Sequence, residues 1–247
     1  MKMNPKYSII IPAFNEEKYI MDTIKSLKNA VLIQEDKTGV EGEIILVDNN
    51  STDRTAEIAK TEGVKVVFEP VNCIAKARNA GASASKGEFL FFVDADTMIP
   101  PELLENAISI LSSGKVCAGG AKISFIEDNL PAAAKISLAI WHSIVKVVPF
   151  AAGSFVYCTR EAFQYAGGFD EKLYAGEEIL LSIRLKKYAA KNGMNFRVIP
   201  IPVRTSGRKF EWYGTAHLLS RALIIMLFPH VLKNKIFCKL WYDSSRK

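Results

Sequence analysis

Two aspartates separated by one small residue, Asp94-Ala95-Asp96, close the apolar run Phe89-Leu90-Phe91-Phe92-Val93. Carboxylates held that close repel each other. A hard divalent cation with oxygen ligands, Mn2+ or Mg2+, relieves the repulsion while bridging the oxygens of a bound diphosphate. The plain alternative is an acidic turn at a strand end, because D-x-D is a short string that gains meaning only from its setting. Two other polar clusters also follow apolar runs: Asn15-Glu16 after residues 7–12, and Asp48-Asn49-Asn50-Ser51-Thr52-Asp53 after residues 43–47. Asp48, at the end of its run, is read as facing a ligand, whereas Asn50, Ser51 and Thr52 are read as turn and helix-cap chemistry. The first cluster, Pro12-Ala13-Phe14-Asn15-Glu16-Glu17, contains neither G-x-G-x-x-G nor G-x-x-x-x-G-K-[ST]. That argues against the usual dinucleotide and P-loop ways of holding a nucleotide.

The elements that must position these groups follow from hydrophobic periodicity. Apolar runs predict strands at 7–12, 43–47, 64–68, 89–93, 116–125 and 153–159. Helical spacing predicts helices at 16–28, 53–62, 74–84, from Pro100-Pro101 to 112, 131–150 and 177–191, the last stopping at Asn192-Gly193. Strands that are apolar on both faces and alternate with helices imply an α/β fold with a mostly parallel sheet covered on both sides. Ligands of such sheets sit beyond the carboxyl ends of the strands, where the three polar clusters lie.

Four segments share an order and spacing that together are specific. They are Ser8-Ile9-Ile10-Ile11-Pro12-Ala13-Phe14-Asn15-Glu16, Ile45-Leu46-Val47-Asp48-Asn49-Asn50-Ser51-Thr52-Asp53, Ala77-Arg78-Asn79-Ala80-Gly81 and Val93-Asp94-Ala95-Asp96. In them the chain resembles the family 2 glycosyltransferases, inverting enzymes of the GT-A fold, over residues 7–188. The resemblance implies that Pro12, Ala13, Asn15 and Glu16 form the first nucleotide-contacting loop, that Asp48 meets the base and that Arg78 approaches the nucleotide. It places Asp94 and Ala95 near the ribose or metal and makes Asp96 the main metal ligand. Gly167-Gly168-Phe169-Asp170 through Gly176-Glu177-Glu178 to Arg184 is similar to the family's acceptor-side motif, which assigns Glu178 the role of base. Many members carry aspartate at the second acid and another acid two residues on, where this chain has Glu178 and Leu180. Acids in a first helical turn are also favoured by the helix dipole alone.

The implied donor is a nucleotide-diphosphate sugar, with uracil the default base. The implied reaction is a single in-line displacement in which metal and nearby cations stabilise the departing diphosphate. The basic segment 204–210, with Arg208 in it, is read as a flexible loop that folds over a diphosphate or lipid phosphate. The chain lacks the Q-x-x-R-W signature of processive synthases, which favours one sugar per turnover. The acceptor is expected to be a saccharide or a lipid-linked molecule.

The expected organisation is a catalytic domain at 1–203, with a nucleotide-sugar half at 1–126 and an acceptor half at 127–203. A basic, apolar extension of amphipathic helices follows at 204–247. Of the net charge of +6, about +7 lies from Arg204 onward and about −1 in the rest, an asymmetry that suits an anionic partner. A membrane surface is the expected partner, and no nucleic-acid-binding module accompanies the charge. Residues 215–232 are strongly apolar, but His217, Arg221 and Pro229 interrupt them, so they are expected to lie on a membrane rather than span it. His142, His217 and His230 are read as structural. The start, Met-Lys-Met-Asn-Pro-Lys, lacks a leader-like pattern, and the four cysteines form no C-x-x-C pair. Reduced thiols and a cytoplasmic location, peripheral on the inner face of the membrane, are therefore expected. Two rival readings are a nucleotidyltransferase, whose usual G-x-G-x-R loop is absent, and a non-catalytic, membrane-associated nucleotide-binding scaffold on the same fold.

Overall fold

A computed structural model describes residues 5–127, 132–151, 153–208, 232–234 and 238. Most of the 204–247 extension, including His217, Arg221, Pro229 and His230, lies outside the described residues. The first half alternates β1 (Tyr7–Ala13), α1 (Ile20–Thr38), β2 (Gly42–Asp48), α2 (Thr55–Thr61), β3 (Lys65–Phe68), α3 (Ile74–Ala84) and β4 (Phe89–Val93). It continues through the two-residue β5 (Thr97–Met98), α4 (Pro101–Ser112) and β6 (Val116–Phe125). Then follow α5 (Ala132–Val147), β7 (Phe155–Thr159), α6 (Arg160–Tyr165), α7 (Glu177–Lys191) and β8 (Asn195–Thr205). These strands form one sheet in the order β3-β2-β1-β4-β7-β6-β8-β5. β1 pairs in parallel with both β2 and β4, β2 with β3, and β6 with β8. β7 runs antiparallel between β4 and β6, and β5 antiparallel on β8.

Strand alternation sorts the core into two layers. Ile9, Ile11, Leu46, Phe91 and Val93 face one side, packed with residues of α1 and α4. Ile10, Ile45, Val47, Leu90 and Phe92 face the other, packed with α3, α6 and α7. An edge-on Phe92–Phe169 pair, with ring centroids 4.9 Å apart, fastens the Gly167-Gly168-Phe169 segment to the sheet. Helix α1 runs well past the expected 16–28, because Ala30, Val31 and Gln34 continue its buried stripe. It ends at Gly39, whose left-handed φ of 66° lets its N–H reach the Glu35 carbonyl at 2.8 Å. Proline opens α4 as expected. Helix α6 and strands β5 and β8 were not foreseen. The basic segment from Arg204 accordingly begins inside a strand rather than after the sheet.

Candidate active site

The carboxyl ends of β1, β2 and β4 lie side by side, with Ala13 abreast of Asp48. Two loops are stitched together at this rim. Asn15 sits at a left-handed φ of 54°, a conformation asparagine tolerates better than most residues. Its N–H donates to Ser51 Oγ at 3.1 Å, and its side-chain oxygen accepts from the Thr52 N–H at 2.8 Å. The Glu16 N–H donates to Thr55 Oγ1 at 2.8 Å. Asp48 is buried, and one of its oxygens accepts from the Ser51 N–H at 3.0 Å. Asn15 and Asp48 are therefore at the rim, each with part of its hydrogen-bonding capacity spent on loop shape.

Arg78, on α3, is the structural centre of the site at 1 % exposure. Its guanidinium pairs with Glu177 through Nη1, while Nη2 donates to Asp94 at 2.8 Å and to the Gly153 carbonyl at 3.1 Å. The Phe169 ring lies under it at 5.1 Å. Burial works against the charge of Arg78, but Asp94, Glu177 and Glu178 outweigh it and raise its pKa. A planar fork of donors is the side chain that can bridge acids from two elements and a backbone carbonyl from a third.

Glu178 joins the same cluster. A side-chain carbon placed on Gly153 would lie 3.0 Å from Arg78 Nη2, 3.6 Å from Asp94 Oδ2 and 3.7 Å from Glu178 Oε1, so all three groups border the space in front of that glycine. Burial, with the neighbouring Glu177 and Asp94 charges, pushes the Glu178 carboxyl up to about 8, against the pull of Arg78. Glu177, which the family motif offered as the paired acid, is buried and serves Arg78.

Asp96 belongs to a second ion cluster. Arg208 forks onto Glu16 at 2.5 and 2.6 Å, reaches Asp96 Oδ2 at 3.1 Å and covers the Tyr19 ring at 4.5 Å. Burial opposes the Arg208 charge, and Glu16 and Asp96 override it, raising the pKa. Asp96 Oδ1 also accepts from Thr205 Oγ1 at 3.4 Å, and the Asp96 carbonyl from the Ser206 N–H at 3.2 Å. Arg208 is thus buried among acids, where the sequence suggested a flexible loop folding over a diphosphate or lipid phosphate. The repulsion between Asp94 and Asp96 is met by two arginines, one on each.

Among the described residues there is no group of three or more His, Cys, Asp and Glu that could cage a metal ion. Asp94 and Asp96 fit the other mode, in which one or two carboxylates and the phosphates of a substrate share a divalent cation. Two asparagines of the motifs have structural roles the sequence did not reveal. The Asn49 amide donates to the Val71 carbonyl at 2.6 Å, and its oxygen accepts from the Cys73 N–H at 2.9 Å, which seats α3. Asn79 exchanges two 3.0 Å hydrogen bonds with the backbone of Phe169. A polar side chain placed next to each strand-end or helix motif was the only signal available for them.

A family model described as "Glycosyl transferase family 2" matches residues 8–167. The chain belongs to that family. A similar curated protein is the poly(ribitol-phosphate) beta-N-acetylglucosaminyltransferase TarS of Staphylococcus aureus, 34 % identical over 112 residues, which are 43 % of this chain and 19 % of TarS. Another is a dolichyl N-acetyl-alpha-D-glucosaminyl phosphate 3-beta-D-2,3-diacetamido-2,3-dideoxy-beta-D-glucuronosyltransferase of Methanococcus voltae. It is 28 % identical over 189 residues, 70 % of this chain and 55 % of that protein. The chain thus spans less than two thirds of either relative. Among solved structures, TarS 1–349 in complex with UDP-GlcNAc superposes with a TM-score of 0.61 at 21 % identity, covering 98 % of this chain and 74 % of that one. The mannosyltransferase PcManGT of Pyrobaculum calidifontis, in complex with GDP-Man and Mn2+, gives 0.64 at 20 % identity, covering 99 % and 71 %. The fold of this family 2 chain is that of the GT-A glycosyltransferases.

Proposed function

We propose that the chain is an inverting glycosyltransferase that moves one sugar from a nucleotide-diphosphate sugar, by default a UDP-sugar, to an acceptor hydroxyl or a lipid phosphate. The observation that carries this reading is the convergence of Arg78, Asp94 and Glu178 on the space before Gly153, beside the Asp96–Arg208 cluster. Solved neighbours bind a nucleotide sugar, with UDP-GlcNAc in one and GDP-Man in the other, which supports the donor class. The two relatives are named for a poly(ribitol-phosphate) and for a dolichyl phosphate saccharide, which supports a saccharide or lipid-linked acceptor.

In this reading Pro12, Ala13, Asn15, Glu16 and Asp48 line the nucleotide end, and Arg78 fixes the Asp94 carboxylate that borders the sugar. Glu178 takes the proton from the acceptor hydroxyl. The acceptor oxygen then bonds to the anomeric carbon as the bond from that carbon to the diphosphate oxygen breaks, which inverts the centre. A base works best when its pKa lies near the working pH, and a carboxyl raised to about 8 is placed for that exchange. A divalent cation, Mn2+ or Mg2+, held by Asp96 with Asp94, would stabilise the charge growing on the diphosphate. Arg208, already at Asp96, supplies a further cation on that side.

The test is donor hydrolysis across a panel of UDP-, GDP- and other nucleotide sugars with Mn2+ or Mg2+, comparing the native chain with Asp96→Ala. Metal-dependent release of one nucleoside diphosphate, lost in the variant, is the expected result. If no donor turns over, with saccharide and lipid acceptors also supplied, the reading fails in favour of a non-catalytic scaffold.

A further inference from the structure

Helix α5 is inserted between β6 and β7, and His142 ties it to the sheet by donating from Nε2 to the Ile123 carbonyl at 3.0 Å. The side that adjoins His142, starting at Lys135 and Lys146, is open. Lys135, Ile136, Ala139, Ile140, Ser143, Lys146 and Val147 are all exposed, with Ile136 at 59 %, Ile140 at 54 % and Val147 at 81 %. At 3.6 residues per turn these seven positions fall within an arc of about 140°. Lys135, Ala139 and Lys146 lie along one edge of the arc, and the two isoleucines and Val147 fill the other. The sequence Ala132–Val147 contains no acidic residue.

We propose that this face of α5 docks on an anionic lipid bilayer, with Ile136, Ile140 and Val147 entering the headgroup boundary and Lys135 and Lys146 meeting lipid phosphates. An apolar stripe edged by lysines is the pattern of a helix lying in the interface plane. The absence of acids leaves nothing on the helix to repel anionic lipid. Size argues against a second copy as the occupant. A stripe about 24 Å long and 10 Å wide is far below the roughly 800 Å² per partner of a stable protein interface. A bilayer sets no such minimum.

The docked helix leads straight to the catalytic cluster. Only five residues separate Val147 from Gly153, so the space bordered by Arg78, Asp94 and Glu178 lies within about 22 Å of the lipid-facing end along the chain. On the glycosyltransferase reading, to which this clause alone is tied, such a position serves an acceptor whose phosphate stays at the membrane surface.

The test is flotation of the full chain with vesicles of equal parts phosphatidylglycerol and phosphatidylcholine, against phosphatidylcholine alone. Binding to the anionic vesicles that weakens with added salt is expected. Lys135→Gln with Lys146→Gln should weaken it about twenty-fivefold, at about fivefold per lysine, and Ile136→Ser with Ile140→Ser should abolish it. The lysine pair is exposed and keeps the test sound if the isoleucine pair unfolds the chain. Absence of vesicle binding, or equal binding by the lysine pair, overturns the proposal. So does native self-association in ultracentrifugation that the isoleucine pair removes, since the occupant would then be a second copy. Donor hydrolysis without vesicles, read in parallel, separates this outcome from failure of the transferase reading.

Discussion

Arg78→Met places a side chain of similar length where a buried guanidinium now faces two carboxylates. Glu177 is buried and loses its counter-charge outright; breaking a buried pair of this kind costs about 3–5 kcal/mol. The bond to Asp94, whose side chain is 29 % exposed, adds at most about 1 kcal/mol because water takes over part of the task. A loss of about 4 kcal/mol at a urea m-value of about 2–3 kcal/mol/M lowers the unfolding midpoint by roughly 1.5–2 M. The pH dependence carries a second signature. Glu178 has a folded pKa of about 8 against an ordinary 4.5, so its contribution favours the native state below 4.5 and is lost as pH rises through 8. Arg78 is the charge that holds Glu178 down, so its removal lifts that folded pKa further. Below about 8 both native proteins keep Glu178 protonated and this part cancels; above 8 the variant alone pays it. The deficit must therefore be larger at pH 9 than at pH 7. Adding Glu177→Gln removes the stranded carboxylate and should recover much of the loss, whereas Arg78→Lys, a point charge in place of a fork, should not. A deficit under 1 kcal/mol, or one that does not grow between pH 7 and 9, refutes the assignment of Arg78 as the counter-charge of this cluster.

The remaining expectations concern activity. The kcat/KM for transfer should rise with pH and level off above about 8, as the free enzyme's base loses its proton, and Glu178→Gln should lower it by about 10²–10⁴; a flat profile removes Glu178 from that role. Gly153→Ala sets a methyl 3.0 Å from Arg78 Nη2, so kcat should fall at least about tenfold with a stability loss of about 1–3 kcal/mol measured by urea unfolding. Arg208→Met removes a cation 3.1 Å from Asp96, so Mn2+ binding measured by titration without donor should tighten while turnover drops; weaker Mn2+ binding counts against Arg208 and the metal sharing Asp96.

The parallel half of the fold was legible because β1, β2 and β4 are short apolar runs and α7 begins and ends where its acids and Asn192-Gly193 say it should. Strand β8 was not legible, since Pro200 and Pro202 cannot donate to a sheet ladder and argue against an inner strand. The structure accommodates them at a register shift, where Ala121 faces Ile199 but the next residue, Lys122, faces Pro202. The placement of the strand-end acids at one rim was legible, and so was that of Glu178 in the first turn of α7. Their partners were not, because Arg78 meets Glu177 across 99 positions and Arg208 meets Glu16 across 192. No local pattern encodes such pairs. A basic segment in sequence looks alike whether it ends in water or, like Arg208, under a buried fork of acids.

Those long-range pairs also bear on why a site for an anionic donor is built from acids. Glu16, Asp94, Asp96, Glu177 and Glu178 share two guanidinium groups, Arg78 and Arg208, which leaves an excess of three negative charges, or two while Glu178 holds its proton. A diphosphate entering alone would meet repulsion from that excess. On the proposed function, a divalent cation arriving with it would cancel the remaining charge and leave the arginines where they are, so folding and donor binding would not compete for the same groups. The arginines make the acid cluster stable enough to bury, and the uncompensated remainder would give such a cation its place. Protonated Glu178 belongs to the same arithmetic: below about pH 8 it lowers the repulsion while the donor enters, and added positive charge would then favour the carboxylate form in which it acts as base.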